Sequence, residues 1–199
     1  LFRSPDSENQ QGAVMLSGNK LFCERDDRVL FQDLDFNLHE GEVMQLRGRN
    51  GSGKTTLLTR LIPDITARGI SVSTIKHAHH RFDIDTPGKD SYEHRKAGAS
   101  EVMVTSVDRW ALMHENRGKD EPDFDTLVSK MAPVDLLLIE GFKSYPHEKL
   151  EVYRASVGKN LLAPEDDSIV AIACDGALSD INRPVLNLGD IPSIADFVI

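Results

Sequence analysis

Eight consecutive residues, Gly48-Arg49-Asn50-Gly51-Ser52-Gly53-Lys54-Thr55, carry the most specific chemical pattern in this 199-residue chain. They match G-x-x-x-x-G-K-[ST], in which glycines let a loop turn its backbone N–H groups inward around a polyphosphate. Lys54 would reach the β and γ phosphates and offset the charge that develops there, a catalytic part played by electrostatics alone. The Thr55 hydroxyl is placed to ligate Mg2+, and Thr56 extends the cradle into a helix whose N-terminal dipole favours an anion. Such a loop needs an acid on a neighbouring strand to hold the metal or its water. Glu140 fits, at the carboxyl end of the apolar run Leu136-Leu137-Leu138-Ile139, where open parallel sheets bind ligands. The alternative for Glu140 is a solvated strand end.

A second cluster is Lys76-His77-Ala78-His79-His80, followed by Asp83, Asp85, Lys89 and Asp90. Imidazole and carboxylate together suit a transition metal, but no cysteine stands nearby. The favoured reading is a switch segment at the sheet edge, in which Lys76, His77, His79, His80, Lys89 and Asp90 face the γ-phosphate or a second substrate. Asp85 is then a candidate for the metal or the attacking water. A plain polar surface loop is the third reading. Lys76, Lys89, Arg95 and Lys96 make the stretch locally basic, which suits an anionic ligand. Asp175, just after an apolar strand, is a candidate contact to a nucleotide base. No N-K-x-D element is present, so the residues by themselves do not select guanine. Trp110 reads as core or interface, and Cys174 as an inert buried thiol.

These groups must be positioned by alternating strands and helices. Val43–Arg47 reads as a strand feeding the glycine loop, and Thr55–Arg68 as a helix carrying Leu57, Leu58, Leu61, Ile62 and Ile65 at helical spacing. Strands follow at 70–76, 135–140, 150–154, 169–174 and 185–188. Helices are predicted over 90–97, 124–131 and 191–199, and 101–106 with 109–114 suggests a hairpin. The alternation implies an α/β fold, a mainly parallel sheet flanked by helices. Residues 14–47 form a small β-segment ahead of it, and residues 1–13 are polar and expected to be disordered.

Composition narrows the function. With 23 Lys+Arg against 32 Asp+Glu the net charge is −9, which argues against a general nucleic-acid binder. The longest aliphatic run has four residues, far below the roughly 20 needed to cross a bilayer, so no membrane insertion is expected. The two cysteines form neither a metal motif nor a disulfide framework, and with no secretory leader pattern a cytoplasmic location is expected.

Two resemblances meet inside the glycine loop. GKTTLLTRLIP (53–63), KHAHHRFDIDTPGKDSYEHRKAGA (76–99), DLLLIEGFK (135–143) and DIPSIADFVI (190–199) resemble the molybdopterin-guanine dinucleotide biosynthesis adaptor family, MobB, over about three quarters of the chain. That likeness implies a P-loop NTPase fold over 48–199 that binds GTP with Mg2+ and hydrolyses it weakly. It also implies a homodimer whose partners are the molybdenum cofactor guanylyltransferase and a molybdopterin-type cofactor. LFCERDDRVLFQDLDFNLHEGEVMQLRGRNGSGKTTLL (21–58) instead resembles the start of ABC-transporter ATPases of the haem-exporter type used in cytochrome c maturation. An ATP-driven transporter subunit is therefore the alternative. Against it, there is no L-S-G-G-Q-type signature, Ile139-Glu140-Gly141 replaces an Asp-Glu pair, and residues 23–28 offer no aromatic ring to stack on adenine.

Overall fold

Four large aliphatic side chains in a row can all be buried only in a strand covered on both faces. Leu136, Leu137, Leu138 and Ile139 are each 2% exposed or less. The computed structural model describes residues 14–25, 28–39, 42–78 and 82–199, with side chains from Glu42 onward. The expected disorder of residues 1–13 and the parts assigned to His79 and His80 lie outside the described residues.

The chain divides into two units, residues 1–77 with 131–199, and residues 78–130. In the first lie β1 (Val14–Arg25), β2 (Arg28–His39), β3 (Glu42–Arg47), α1 (Lys54–Ala67) and β4 (Val72–Lys76). In the second lie α2 (Asp90–Ala97), β5 (Glu101–Thr105), β6 (Trp110–His114) and α3 (Phe124–Val128). The first unit resumes with β7 (Leu136–Glu140), β8 (Lys149–Tyr153), β9 (Ile169–Cys174), β10 (Val185–Asn187) and α4 (Ile191–Val198).

Strands β1 and β2 pair antiparallel as a separate two-stranded sheet. The main sheet has six strands in the order β10-β9-β8-β3-β7-β4, and every neighbouring pair is parallel. The expected mainly parallel sheet flanked by helices is therefore present. Alternation along the strands sorts the core. Met44, Leu46, Leu136, Leu138, Leu150, Val152, Ala171 and Ala173 form one face, packed with Leu57, Leu58, Leu61 and Ile65 of α1 and Ile191, Ile194, Ala195 and Val198 of α4. Each large aliphatic side chain removed from water there contributes about 1.5–3 kcal/mol. The opposite face of β9 presents Ile169, Ile172 and Cys174, covered through Ala163 of a short 3-10 turn. Cys174 is buried, as expected.

Two buried charges on β8 have structural partners. Glu151 accepts the N–H groups of Leu162 at 2.9 Å and Ala163 at 2.8 Å, fixing that turn. Lys149 pairs with Asp166 at 3.1 Å.

In the second unit, α2 ends at Gly98, whose φ of +115° closes the helix as expected. β5 and β6 pair as an antiparallel hairpin with Met103 opposite Leu112 and Thr105 opposite Trp110. Trp110 is 64% exposed, so the core reading for it is withdrawn: it stands on an uncovered hairpin face. The helix predicted over 124–131 is shorter, ending at Val128, and starts where Asp123 accepts the Thr126 N–H at 2.8 Å.

Candidate functional site

The site forms at the carboxyl end of β3, where the chain leaves the sheet at Arg47 and enters α1 at Lys54. Gly48 and Gly53, with φ of +143° and +94°, adopt a backbone that other residues rarely take. Gly48 is also confined by space, because a Cβ there would lie 2.4 Å from the Val152 carbonyl oxygen. The loop closes with the Ser52 N–H donating to the Arg49 carbonyl at 3.1 Å. Gly53 caps α1 without a side chain, so the first amides of the helix are left to the loop.

Lys54 folds back across the loop and donates to the carbonyls of Gly48 at 2.8 Å and Arg49 at 3.2 Å. Burial lowers its pKa; Glu140 opposes that shift, while Lys143, Lys76 and Arg47 add to it. Burial is the largest of these causes, and an arriving anion would favour the charged ammonium. Glu140, at the end of β7, accepts a long 3.5 Å hydrogen bond from the Thr55 hydroxyl and pairs with Lys76 at 3.3 Å. Thr55 and Glu140 are hard oxygen donors, and ligands on a small octahedral ion with bonds of 2.0–2.1 Å lie about 3 Å apart. The pair would suit a small hard cation such as Mg2+. Among the described residues no group of three or more His, Cys, Asp and Glu gathers into a protein-only metal cage.

Two contacts from His77 hold the segment around Glu140. The His77 N–H donates to the Glu140 carbonyl at 2.8 Å, and the His77 ring lies 5.0 Å from the Phe142 ring. Gly141 has φ +109°, and a Cβ there would sit 2.5 Å from the Cβ of His77. Gln45, fully buried on β3, donates to the carbonyls of Gly141 and, at 3.0 Å, Phe142. The turn after the acid is thereby tied to the strand that carries the phosphate loop.

The sequence-derived residues fall in three places. Gly48, Arg49, Asn50, Gly51, Ser52, Gly53, Lys54, Thr55 and Thr56 form the loop and the first helical turn, with Glu140, Lys76 and His77 on the adjoining β7 and β4 ends. Asp85, Lys89 and Asp90 belong to the second unit. There Asp85 accepts from Ser91 Oγ at 2.8 Å and pairs with Arg95, while Lys89 and Asp90 open α2. Asp175 follows β9 and pairs with Arg154 at 3.0 Å. Sequence reasoning gave no role to Gln45, Lys143 or Arg154. A polar residue between Met44 and Leu46, and a cation at the end of a predicted strand, were the available signals.

A family model described as molybdopterin guanine dinucleotide synthesis protein B, MobB, matches residues 43–175. The chain belongs to the MobB family. It is 44% identical over 156 residues to the molybdopterin-guanine dinucleotide biosynthesis adapter protein of Escherichia coli K12, covering 75% of this chain and 87% of that one. The Haemophilus influenzae protein of the same name is 41% identical over 157 residues, 78% of this chain and 86% of its own. Among solved structures, Bacillus subtilis MobB superposes with a TM-score of 0.63 at 25% identity, covering 79% of this chain and 95% of that one. A shorter likeness, 55% over 47 residues, joins the chain to the cytochrome c biogenesis ATP-binding export protein CcmA of Hahella chejuensis. It covers 24% of this chain and 22% of that protein.

Proposed function

We propose that this MobB-family chain is a cytoplasmic GTP-binding adaptor of molybdopterin-guanine dinucleotide biosynthesis, acting with the molybdenum cofactor guanylyltransferase and a molybdopterin-type cofactor. The observation that carries the nucleotide part is the closed glycine loop with the half-buried Lys54 ammonium folded across it. Residues 48–56 would hold the triphosphate, and Thr55 with Glu140 would hold Mg2+, which offsets phosphate charge when bound. Lys54 exchanges its two loop carbonyls for phosphate oxygens. Hydrolysis by the chain alone is slow.

A homodimer is part of the same proposal. Met103, Trp110 and Leu112 share one face of the β5–β6 hairpin and are 61%, 64% and 41% exposed. A two-stranded sheet with an open apolar face gains by adding a second layer.

The test is a pair of titrations with Mg-GTP and Mg-ATP. Binding with GTP preferred is expected, and Lys54→Ala should weaken it by about a hundredfold or more, since it removes the charge-assisted contacts to phosphate. ATP preference would favour the transporter-type reading suggested by the CcmA likeness, and binding retained by Lys54→Ala would overturn the site. Sedimentation of Trp110→Glu should show a monomer where the parent is a dimer.

A further inference from the structure

The phosphate loop rests on the end of β8 at two places. At its start, Gly48 packs against the Val152 carbonyl, closely enough to exclude any Cβ. At its end, Arg154, the residue after β8, donates from Nε to the Ser52 carbonyl at 3.1 Å. A Cβ added to Gly53 would lie 3.3 Å from Arg154 Nε and 3.6 Å from Nη2, so the guanidinium lies against this glycine. Through Nη1, Arg154 also pairs with Asp175 Oδ2 at 3.0 Å, at the end of β9. The three neighbouring strands β3, β8 and β9 are thus stitched together at their carboxyl ends by one side chain.

We infer that Arg154, held by Asp175, is a positioning residue that keeps the phosphate loop in its anion-receiving shape. Two cations grip backbone carbonyls of the loop: Lys54 holds Gly48 and Arg49, and Arg154 holds Ser52. A bound phosphate would draw Lys54 away from its carbonyls. Arg154 has no such conflict, because Asp175 engages its other arm and directs the fork at the loop. A planar guanidinium does this where an ammonium would not, since one side chain must donate in two fixed directions. Asp175, expected as a base contact, gains a second part through Arg154. The consequence for nucleotide affinity rests on the proposed function above, but the positioning itself does not.

The experiment separates the two. Hydrogen exchange of peptides spanning 48–54 is followed in nucleotide-free wild type, Arg154→Ala, Arg154→Lys and Asp175→Asn, with α4 as an internal control. Arg154→Ala should speed loop exchange by about tenfold to hundredfold, the range for losing a charge-assisted hydrogen bond. Millimolar methylguanidinium should restore part of the protection, and the lysine variant should remain faster than wild type. Asp175→Asn should show a smaller change in the same direction. Mg-GTP affinity, read with a fluorescent analogue, should fall in the same order.

Unchanged loop exchange in Arg154→Ala overturns the inference, as does full recovery by lysine. Equal loss of protection in α4 overturns it too, since Arg154 would then act on global stability. Faster loop exchange in a chain whose wild type binds no Mg-GTP upholds the positioning role and overturns the nucleotide reading. Faster exchange with GTP affinity within twofold of wild type overturns the claim that the loop's shape sets binding.

Discussion

The phosphate loop and the segment around Arg95 use their cations differently. In the sheet unit, side chains reach back to main-chain carbonyls: Lys54 to Gly48 and Arg49, Gln45 to Gly141 and Phe142, Arg154 to Ser52. Those carbonyls belong to turns with positive φ, which hold their shape only when surrounding groups fix them. The second unit instead gathers carboxylates around one guanidinium. Arg95 pairs with Asp83 at 2.9 Å, Glu115 at 3.0 Å and Asp85 at 3.3 Å, and its own basicity is raised by Asp83 first and Glu115 second. Buried apolar side chains there include Val102, Phe124 and Val128, while Phe82, Ile84, Met103, Trp110 and Leu112 face outward. A large apolar core can hold a strained turn, and a thin one leans on charge.

The largest expected effect breaks that contrast at its base. Leu61 is fully buried between α1 and the sheet, and Leu61→Ala should cost about 2–5 kcal/mol in chemical unfolding. The phosphate loop should lose protection with it, because α1 carries the loop's exit. A loss below 1 kcal/mol would mean that the sheet core does not support the site. A smaller effect is expected at the charge hub. Arg95→Gln should make limited proteolysis between residues 82 and 90 a few-fold faster at low salt, because its partners lose their shared cation. The gap between variant and parent should close near 1 M salt, where the screening length falls to about 3 Å. A salt-independent gap would show that packing, not charge, orders the segment.

What could be read from the sequence follows the range of the interactions. The glycine loop, the helix after it and the apolar β7 are specified by residues adjacent along the chain, so spacing and periodicity suffice. Glu140 can be named as a candidate because its place at the end of an apolar strand is itself a local pattern. Gln45 and Arg154 act on carbonyls about a hundred residues away, and local spacing does not reveal such partners. The same holds for the strand order, which places β8 and β7 on either side of β3. For Trp110, alternation marks a face but does not tell what covers it, so core and interface could not be separated.

The smallest expected effect tests how far the acid-bearing strand depends on its own entry. Asp135, just before β7, accepts the Ser71 N–H at 2.8 Å and the Ser71 hydroxyl at 2.6 Å. These bonds, the Ser71 hydroxyl first, hold its carboxyl below the usual carboxylate range. A pKa lower in the folded than in the unfolded chain adds stability that is complete above about pH 4, the ordinary carboxylate value. That stability is lost as pH falls through the depressed folded value. Ser71→Ala should therefore be less stable than the parent at pH 7 by about 0.5 kcal/mol, a figure kept small because solvent screens the exposed carboxylate. The difference should narrow as the pH is lowered from 4. Denaturant midpoints of the two proteins at pH 7 and pH 3 decide it. A gap equal at both would mean that the hydroxyl acts on the Asp135 N–H, which it accepts at 2.9 Å. The entry of β7 would then be set by neutral backbone bonding, and charge would matter to this strand only at its far end, at Glu140.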